Sequence, residues 1–596
     1  MNGSRQIGKI VLCGLNARYV HTSLALRSLV RYVRTAWART DVPLPELILH
    51  EGSINEQTLS ILARLARDQA DVYAFSCYIW NIGTIRHLCR ALKKVRPNAQ
   101  IVWGGPEAGY QATLLLHAGE PADLIISGEG ESAFLNLLYA LADHNPAALS
   151  AVPNLTWRDQ STGEIRSNPA AHLLAGSEWP FPYTNDDLKI AGDRILYYES
   201  SRGCPFCCTY CLSSLDRTVR YRPLEMVFPE IDCFLAANVL QVKWVDRTFN
   251  SNPERAFSIW QYLISRAREQ SCRTNFHFEV AGDLLDDAAV DLLLSAPPGL
   301  IQLEIGVQTI QPEILRTINR ISRLDVLARQ VGRLRAGGNI HLHLDLIAGL
   351  PGESLVGVAA TFNWIAALRP HNFQLGFLKV LPGTPMAEQA AERGYRWMDE
   401  PPYEVLSSDR LDFDDLCRLK RIEAVLNLYQ NSGFFGFSLR WLIGLWPDPF
   451  AFFDDLGGWF DQHDGLDRAI GHDERGRLLH QFALAHYPGL TENTWLAGAW
   501  LDLLRLDYLG SGQKDRPDWL NFWETRQDPI EKNSLRQAKL DFRQSHPESR
   551  RFQLDRLSFD WDLMNRQGLL VPGSWLVAFE RSGLRPVMVE CRSYTS

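Results

Sequence analysis

The sequence predicts an α/β protein with two parallel-sheet units in tandem, followed by a mostly helical C-terminal domain. Three observations carry this. Residues 8 to 143 alternate short apolar runs with amphipathic stretches, the pattern of a doubly wound parallel sheet. The same alternation resumes at Ile195 and yields six strand–helix repeats, a partial (β/α)6 barrel. From residue 387 onward, apolar and aromatic residues recur at helical spacing. The predicted organisation is therefore 1–149, a linker at 150–194, 195–386 and 387–596.

Composition narrows the function class. The 596 residues suffice for two to four domains, and 46% hydrophobic with 22% charged residues is ordinary for globular protein. A net charge of -8 gives no general attraction to nucleic acid. No apolar run reaches membrane-spanning length, and the polar stretch Met1 to Lys9 does not read as a secretory signal. Eleven cysteines, four of them within Cys204–Cys211, indicate a metal site in a reducing, cytoplasmic setting rather than a disulfide scaffold.

In the first unit the expected strands are Lys9–Leu15, Glu46–His50, Val72–Cys77, Gln100–Trp103 and Leu124–Ser127. Helix-like segments Ser23–Trp37, Glu56–Asp68 and Thr84–Val95 lie between them. Doubly wound sheets bind ligands at the carboxyl ends of their strands. Those ends carry Asn16, then Ser76 and Tyr78, then Gly104, Gly105 and Glu107, then Gly128 and Glu129. Paired glycines at a strand end permit close approach by a large flat ligand. Between the units, residues 154–166 read as a hairpin turning at Ser161–Gly163, and Trp179–Tyr183 as a rigid connector without chemistry.

The stretch Glu199–Ser214 organises the second unit. Its Cys204, Cys208 and Cys211 have the spacing Cys-x3-Cys-x2-Cys. Three thiolates on one tight loop can hold three irons of a cubane [4Fe-4S] cluster and leave the fourth open to another ligand. A structural zinc site would need a fourth ligand at short range. Cys207 is the only extra one, and its adjacency to Cys208 makes joint ligation awkward, so it reads as a bystander. The barrel strands Ile195–Tyr198, Gln241–Val245, Asn275–Val280, Ile301–Val307, His341–Ile347 and Asn372–Val380 follow. At or near their ends stand Asp246, Glu279, Gln308, Asp345 and the run Gly349–Glu353, where β/α barrels assemble active sites. Asp345 could instead pair with His341 or His343.

The cysteine loop closely resembles the radical SAM signature, and the strand-end loops of residues 8–143 are similar to the cobalamin-binding domain that precedes many radical SAM domains. This resemblance implies a [4Fe-4S] cluster, S-adenosylmethionine (SAM) and cobalamin as cofactors, with a flavodoxin-like first domain. It places Tyr210 against adenine, the Asp246 loop at the methionyl end of SAM, Glu279 and Gln308 near its ribose or amino group, and Gly349 to Gly352, with Pro351, near adenine. It gives Asn16, Ser76, Tyr78, Gly104, Gly105, Glu107, Gly128 and Glu129 to cobalamin. The family's Asp-x-His-x-x-Gly motif is absent, and His21 stands in a different setting, which implies a cobalt with no protein imidazole beneath it.

The C-terminal region adds expected helices at Leu416–Tyr429, Leu478–Ala485 and Trp495–Tyr508, then strands at Arg550–Leu557 and Ser574–Val589. Its aromatic blocks (Phe434–Phe437, Trp441–Trp446, Phe450–Phe453) favour core over a stacking platform, and Lys514 and Arg516 read as a solvated loop. The function so implied is reductive SAM cleavage to a 5′-deoxyadenosyl radical, with methylation of an unactivated carbon and a reducing partner such as flavodoxin or ferredoxin. Rearrangement, cyclisation or oxidation without methyl transfer, a barrel without cobalamin, and a cobalamin or iron–sulfur sensor are the rival readings.

Overall fold

The computed structural model describes residues 8–38, 43–142, 146–159, 162–270, 272–463, 466, 468–513, 517–522, 528–547, 549, 551–580 and 587–593. Ser161, Lys514 and Arg516 lie outside the described residues. The chain divides into two compact units, Met1–Ser354 with Phe377–Asp412, and Leu355–Gly376 with Phe413–Ser596.

The first unit opens with strands β1 (Lys9–Asn16), β2 (Glu46–Ser53), β3 (Val72–Ser76), β4 (Gln100–Gly104) and β5 (Leu124–Ile126). They are parallel and ordered β2-β1-β3-β4-β5, the doubly wound order expected. Alternate strand residues feed two cores, Val11, Cys13 and Leu15 on one face and Ile10 and Leu12 on the other. Helices Thr58–Asp68 and Ile82–Val95 cover the first face, Leu24–Trp37 and Gly130–Ala142 the second. The expected linker hairpin, β6 (Leu155–Arg158) and β7 (Ile165–Ser167), is not a free linker: β6 pairs antiparallel with β5 and extends the sheet. Trp157 is buried in the sheet's core, which is why the hairpin docks instead of dangling.

Strand β8 (Ile195–Tyr198) begins the barrel, and β9 (Ser201–Arg202) pairs with β10 (Arg220–Tyr221) to brace the cysteine loop between them. The barrel continues with β11 (Gln241–Trp244), β12 (Asn275–Val280), β13 (Ile301–Gln308) and β14 (His341–Ala348), all parallel. Asn372–Phe377 (β15) is a strand, as expected. Outward residues are apolar and pack on helices; Trp260 of helix Pro253–Glu269 meets Phe278 edge-on. The other face carries Tyr197, Lys243, His277, Glu279, Glu304, His343 and Asp345. That polar row departs from the branched apolar layers that usually fill such barrels.

In the second unit, helix Leu355–Ala367 is apolar nearly all round and sets Phe362 edge-on to Phe450 and Phe453. That unit is mainly helical, ending in an antiparallel sheet of Phe552–Phe559, Pro572–Glu580 and Val587–Ser593. Phe435, Trp441, Phe452 and Phe453 are buried, so the aromatic blocks are core. Asp507 caps helix Gly436–Ile443 from helix Thr494–Ser511, accepting from the backbone of Phe437 and Ser438 and from the Ser438 hydroxyl. Burial pushes its carboxyl up to about 7. Replacing Asp507 with Ala strands those buried donors and should cost about 2–4 kcal/mol in urea unfolding, whereas Asp507→Asn should cost less because one acceptor survives.

Candidate active site

The cysteine loop is fixed by backbone bonds at both ends and its middle. Cys204 donates to the Asp216 carbonyl at 2.9 Å, Thr209 to Ile318 at 3.1 Å, and Met386 to Thr209 at 3.0 Å. Gly203 is needed at φ +92, where a Cβ would lie 2.5 Å from the Thr218 carbonyl oxygen. Cys204 and Cys208 are buried and Cys211 half-buried, and each sits within electrostatic reach of the others. Among the described residues no three His, Cys, Asp or Glu gather closely enough for a single ion.

Arg320, which sequence reasoning missed, is the cation of this corner. Its guanidinium donates to the Gly306 carbonyl, approaches Cys208 Sγ at 4.0 Å, and keeps Nε buried without a hydrogen-bond partner. Tyr210 lies within its reach. Thr248 Oγ1 stands 3.9 Å from Cys204 Sγ, so the loop after β11 does approach the cysteines. Asp246 does not use its carboxyl there: Ser200 N–H donates to one oxygen at 2.6 Å and Ser200 Oγ to the other at 2.7 Å. Burial raises that carboxyl to about 6. Asp246 thus ties the β8 exit to β11.

Gln308 ends β13 at φ +69 with Oε1 buried and unpartnered, an arrangement that leaves an acceptor waiting. Below it Lys243 pairs with Glu279 at 3.4 Å and Glu304 at 3.2 Å, while His277 Nε2 meets Glu304 at 2.8 Å. Burial raises Glu279; it also opposes ionisation of Glu304, but His277 and Lys243 prevail and hold that carboxyl at about 2. Asp345 pairs with His343 at 2.9 Å, the structural alternative the sequence left open. Gly349 has φ +90, its carbonyl accepts from Tyr395, and Pro351 is buried beside it.

The strand ends of the first sheet look onto this barrel mouth. Tyr78 stacks on Trp80 with centroids 4.3 Å apart, and Trp80 is 46% exposed. Tyr78 feels the charges of Arg247 and Glu199, and Tyr110 those of Arg247 and Cys211. Ser76 is buried at the end of β3. A Cβ on Gly104 would touch only the Ile126 carbonyl, at 3.7 Å, and one on Gly128 only the Asn154 amide, at 3.8 Å, so both leave space for a ligand. Other expected residues turn away from that space. The Asn16 amide donates to the His21 carbonyl at 2.9 Å. Glu107 accepts from Tyr403, and Glu129 from Arg220, with Arg202 close by. The His21 ring is bonded to the Tyr197 hydroxyl at 2.7 Å, inside the barrel.

Comparison with known proteins matches these parts in order. The B12 binding domain model matches residues 10–138, the radical SAM superfamily model residues 198–365, and a protein-of-unknown-function model, DUF4080, residues 391–559. The chain is 28% identical over 305 residues to 2-(S-pantetheinyl)-carbapenam-3-carboxylate methyltransferase of Streptantibioticus cattleyicolor, covering 48% of this chain and 43% of that one. It is 26% identical over 356 residues to the cobalamin-dependent radical SAM methyltransferase TokK of Streptomyces tokunonensis, covering 56% and 51%. It therefore spans about half the length of these curated relatives. The solved cobalamin-dependent S-adenosylmethionine radical enzyme OxsB, with aqua-cobalamin bound, superposes with TM-score 0.59 at 14% identity, over 90% of this chain and 84% of that one. The radical SAM methyltransferase TsrM from Kitasatospora setae, with cobalamin and [4Fe-4S] cluster bound, gives 0.52 at 18%, over 67% and 82%. At such identities these likenesses establish the fold.

The two adjacent glycines should separate experimentally. At Gly105, φ +97 and a Cβ 2.7 Å from the Cys77 carbonyl oxygen make Gly105→Ala costly, about 1–3 kcal/mol in thermal or urea unfolding. Gly104→Ala should unfold with the parent.

Proposed function

We propose that this chain, which belongs to the radical SAM proteins with an N-terminal B12-binding domain, is a cobalamin-dependent radical SAM methyltransferase acting on an unactivated carbon. When bound, the cluster and SAM supply a 5′-deoxyadenosyl radical and cobalamin supplies a transferable methyl group. The observation that carries the reading is the reach of Arg247, which from the barrel acts electrostatically on Tyr78 and Tyr110 of the first domain and on Cys204 of the cysteine loop. A substrate held there reaches both cofactors without leaving the protein, the geometry that converts two encounters into one bound arrangement.

In this reading Cys204, Cys208 and Cys211 hold the cluster. Arg320, a buried cation with a spare Nε, faces the carboxylate of SAM; Glu279 and Gln308 receive its amino and ribose groups; Tyr210, Gly349 and Pro351 border adenine. Ser76, Tyr78, Gly104 and Gly128 border the corrin, and Trp80 shields its edge from water. The pairs of Lys243 and His277 with Glu304 lie on the barrel floor beneath that space. The electron comes from a small one-electron carrier such as flavodoxin or ferredoxin.

Methyl transfer is tested by incubating the reconstituted protein with methyl-labelled SAM, reductant and a fractionated cell extract. Label should appear in a product together with 5′-deoxyadenosine and S-adenosylhomocysteine. Release of 5′-deoxyadenosine with no labelled product would favour rearrangement or oxidation. Ala at Cys204, Cys208 or Cys211 should each abolish SAM cleavage and lose iron, while Cys207→Ala keeps both. Gly104→Val should lose bound cobalamin but keep iron.

Cobalt ligation follows from His21. With its ring committed to Tyr197, protein loaded with cob(II)alamin should show no imidazole nitrogen splitting in electron paramagnetic resonance. Splitting that disappears in His21→Ala would show that the ring leaves Tyr197 for cobalt.

A further inference from the structure

The segment after the barrel holds no cofactor in the reading above, yet it touches both halves of the site. Its hairpin, β16 (Arg396–Trp397) and β17 (Val405–Ser407), lies in the first unit, near the start of the DUF4080 match. Backbone bonds stitch the hairpin to the barrel. Leu378 N–H donates to the carbonyl of Ala348, the last residue of β14, at 2.9 Å; Val405 N–H donates to the Leu378 carbonyl at 3.1 Å. Val380 N–H donates to the Tyr403 carbonyl at 2.9 Å. From the hairpin's other arm the Tyr395 hydroxyl donates to the Gly349 carbonyl at 2.9 Å.

Tyr403 carries the same hairpin to the first sheet. It is 6% exposed and has φ +58, a conformation a bulky residue keeps only where its surroundings fix it. Its hydroxyl donates to Glu107 and accepts from the Gln111 amide at 3.1 Å. Glu107 is buried two residues past Gly105. Its N–H donates to the Cys77 carbonyl at 3.3 Å, and Cys77 N–H donates to the Gly104 carbonyl at 2.7 Å. Cys77 stands between Ser76 and Tyr78, so Glu107 gathers both loops that border the corrin in the functional reading. Arg86 adds a pair with Glu400 at 2.6 Å, but the Glu400 side chain is 73% exposed and such pairs hold little. The buried contact of Tyr403 with Glu107 is the link.

We propose that this hairpin is a clasp that couples the cobalamin and SAM sites, with Tyr403 as its positioning residue. The coupling rests on both cofactors binding where the functional reading puts them. Filling the space beside Ser76, Tyr78 and Gly104 immobilises Glu107, and through it Tyr403 and β17. SAM then meets strand ends that are already ordered and loses less freedom on binding. Linkage makes the effect reciprocal, so SAM tightens cobalamin by the same factor.

The test measures SAM affinity of the cluster-reconstituted protein by equilibrium dialysis, with and without saturating hydroxocobalamin, and amide hydrogen exchange of residues 395–407 alongside. In wild type cobalamin should tighten SAM about fivefold or more, the lower end of coupling between sites, and slow exchange in the hairpin. Tyr403→Phe keeps the ring and loses the donor; it should bind SAM alone within about twofold of wild type and cut the coupling to about twofold or less. Glu107→Gln, whose amide oxygen still accepts, should keep the coupling. A SAM affinity that cobalamin leaves unchanged in wild type overturns the proposal without any variant. So does full coupling in Tyr403→Phe, which would place it in contact between the two ligands. A merely structural tyrosine would lower the melting temperature of Tyr403→Phe and weaken SAM equally with and without cobalamin, and that result also overturns it. Failure of wild type to bind cobalamin or SAM at all would instead remove the functional reading, and the clasp with it.

Discussion

Arg202 is the constraint on which the working geometry depends. Its buried guanidinium meets Glu199 at 2.8 Å, Glu131 at 2.6 Å and Glu129 at 3.1 Å, and lies over the Trp179 ring at 4.6 Å. Arg220 doubles the grip on Glu129. Glu129 lies in the turn after the fifth strand of the first sheet and Glu131 in the first turn of helix Gly130–Ala142, whereas Arg202 stands two residues before the first cysteine of the loop. A buried cation that loses a carboxylate partner typically costs about 3–5 kcal/mol, so this junction resists sliding. It sets how far the strand ends stand from the cysteines, and misplacement by an ångström is enough to slow a transfer between bound groups.

What the sequence disclosed and what it hid divide along a physical line. Strand ends were legible because period and turn residues are local properties; β1 and β3 fall within a residue of their expected ends. The cysteine loop was legible because a ligand spacing is itself local. The partners of strand-end acids were not. A glutamate after a glycine reads the same whether it faces a corrin or an arginine, and Glu129 meets Arg220 across 91 residues. Glu107 meets Tyr403 across 296. Arg320 had no signal at all, since it lies between two helices in an unremarkable polar stretch. The polar barrel face did have one: Lys243, Glu279, Glu304 and His343 occupy alternate positions of buried strands, where charge is costly unless paired.

That face also explains why the barrel can be shallow in use. Each acid in its lower rows has a base beside it, Glu304 with His277 and Lys243, Asp345 with His343. Paired charges satisfy one another and fill the floor without an apolar plug. Above them remain the strained Gln308, whose Oε1 is buried without a partner, and the glycine loop.

The loop after β1 does more than hold His21. Its Val20 carbonyl accepts from Ile195 at 2.6 Å, Thr22 Oγ1 donates to the Ile195 carbonyl at 2.9 Å, and His21 forms a parallel bridge to Ile195. A segment of the first sheet's domain thus supplies the missing neighbour of β8, whose outer edge would otherwise present unpaired backbone groups. The two halves are consequently poor modules. A barrel expressed without its leading domain carries a naked β-edge ready to recruit a stranger's strand, and a foreign leading domain grafted onto this barrel must bring its own three-residue hem.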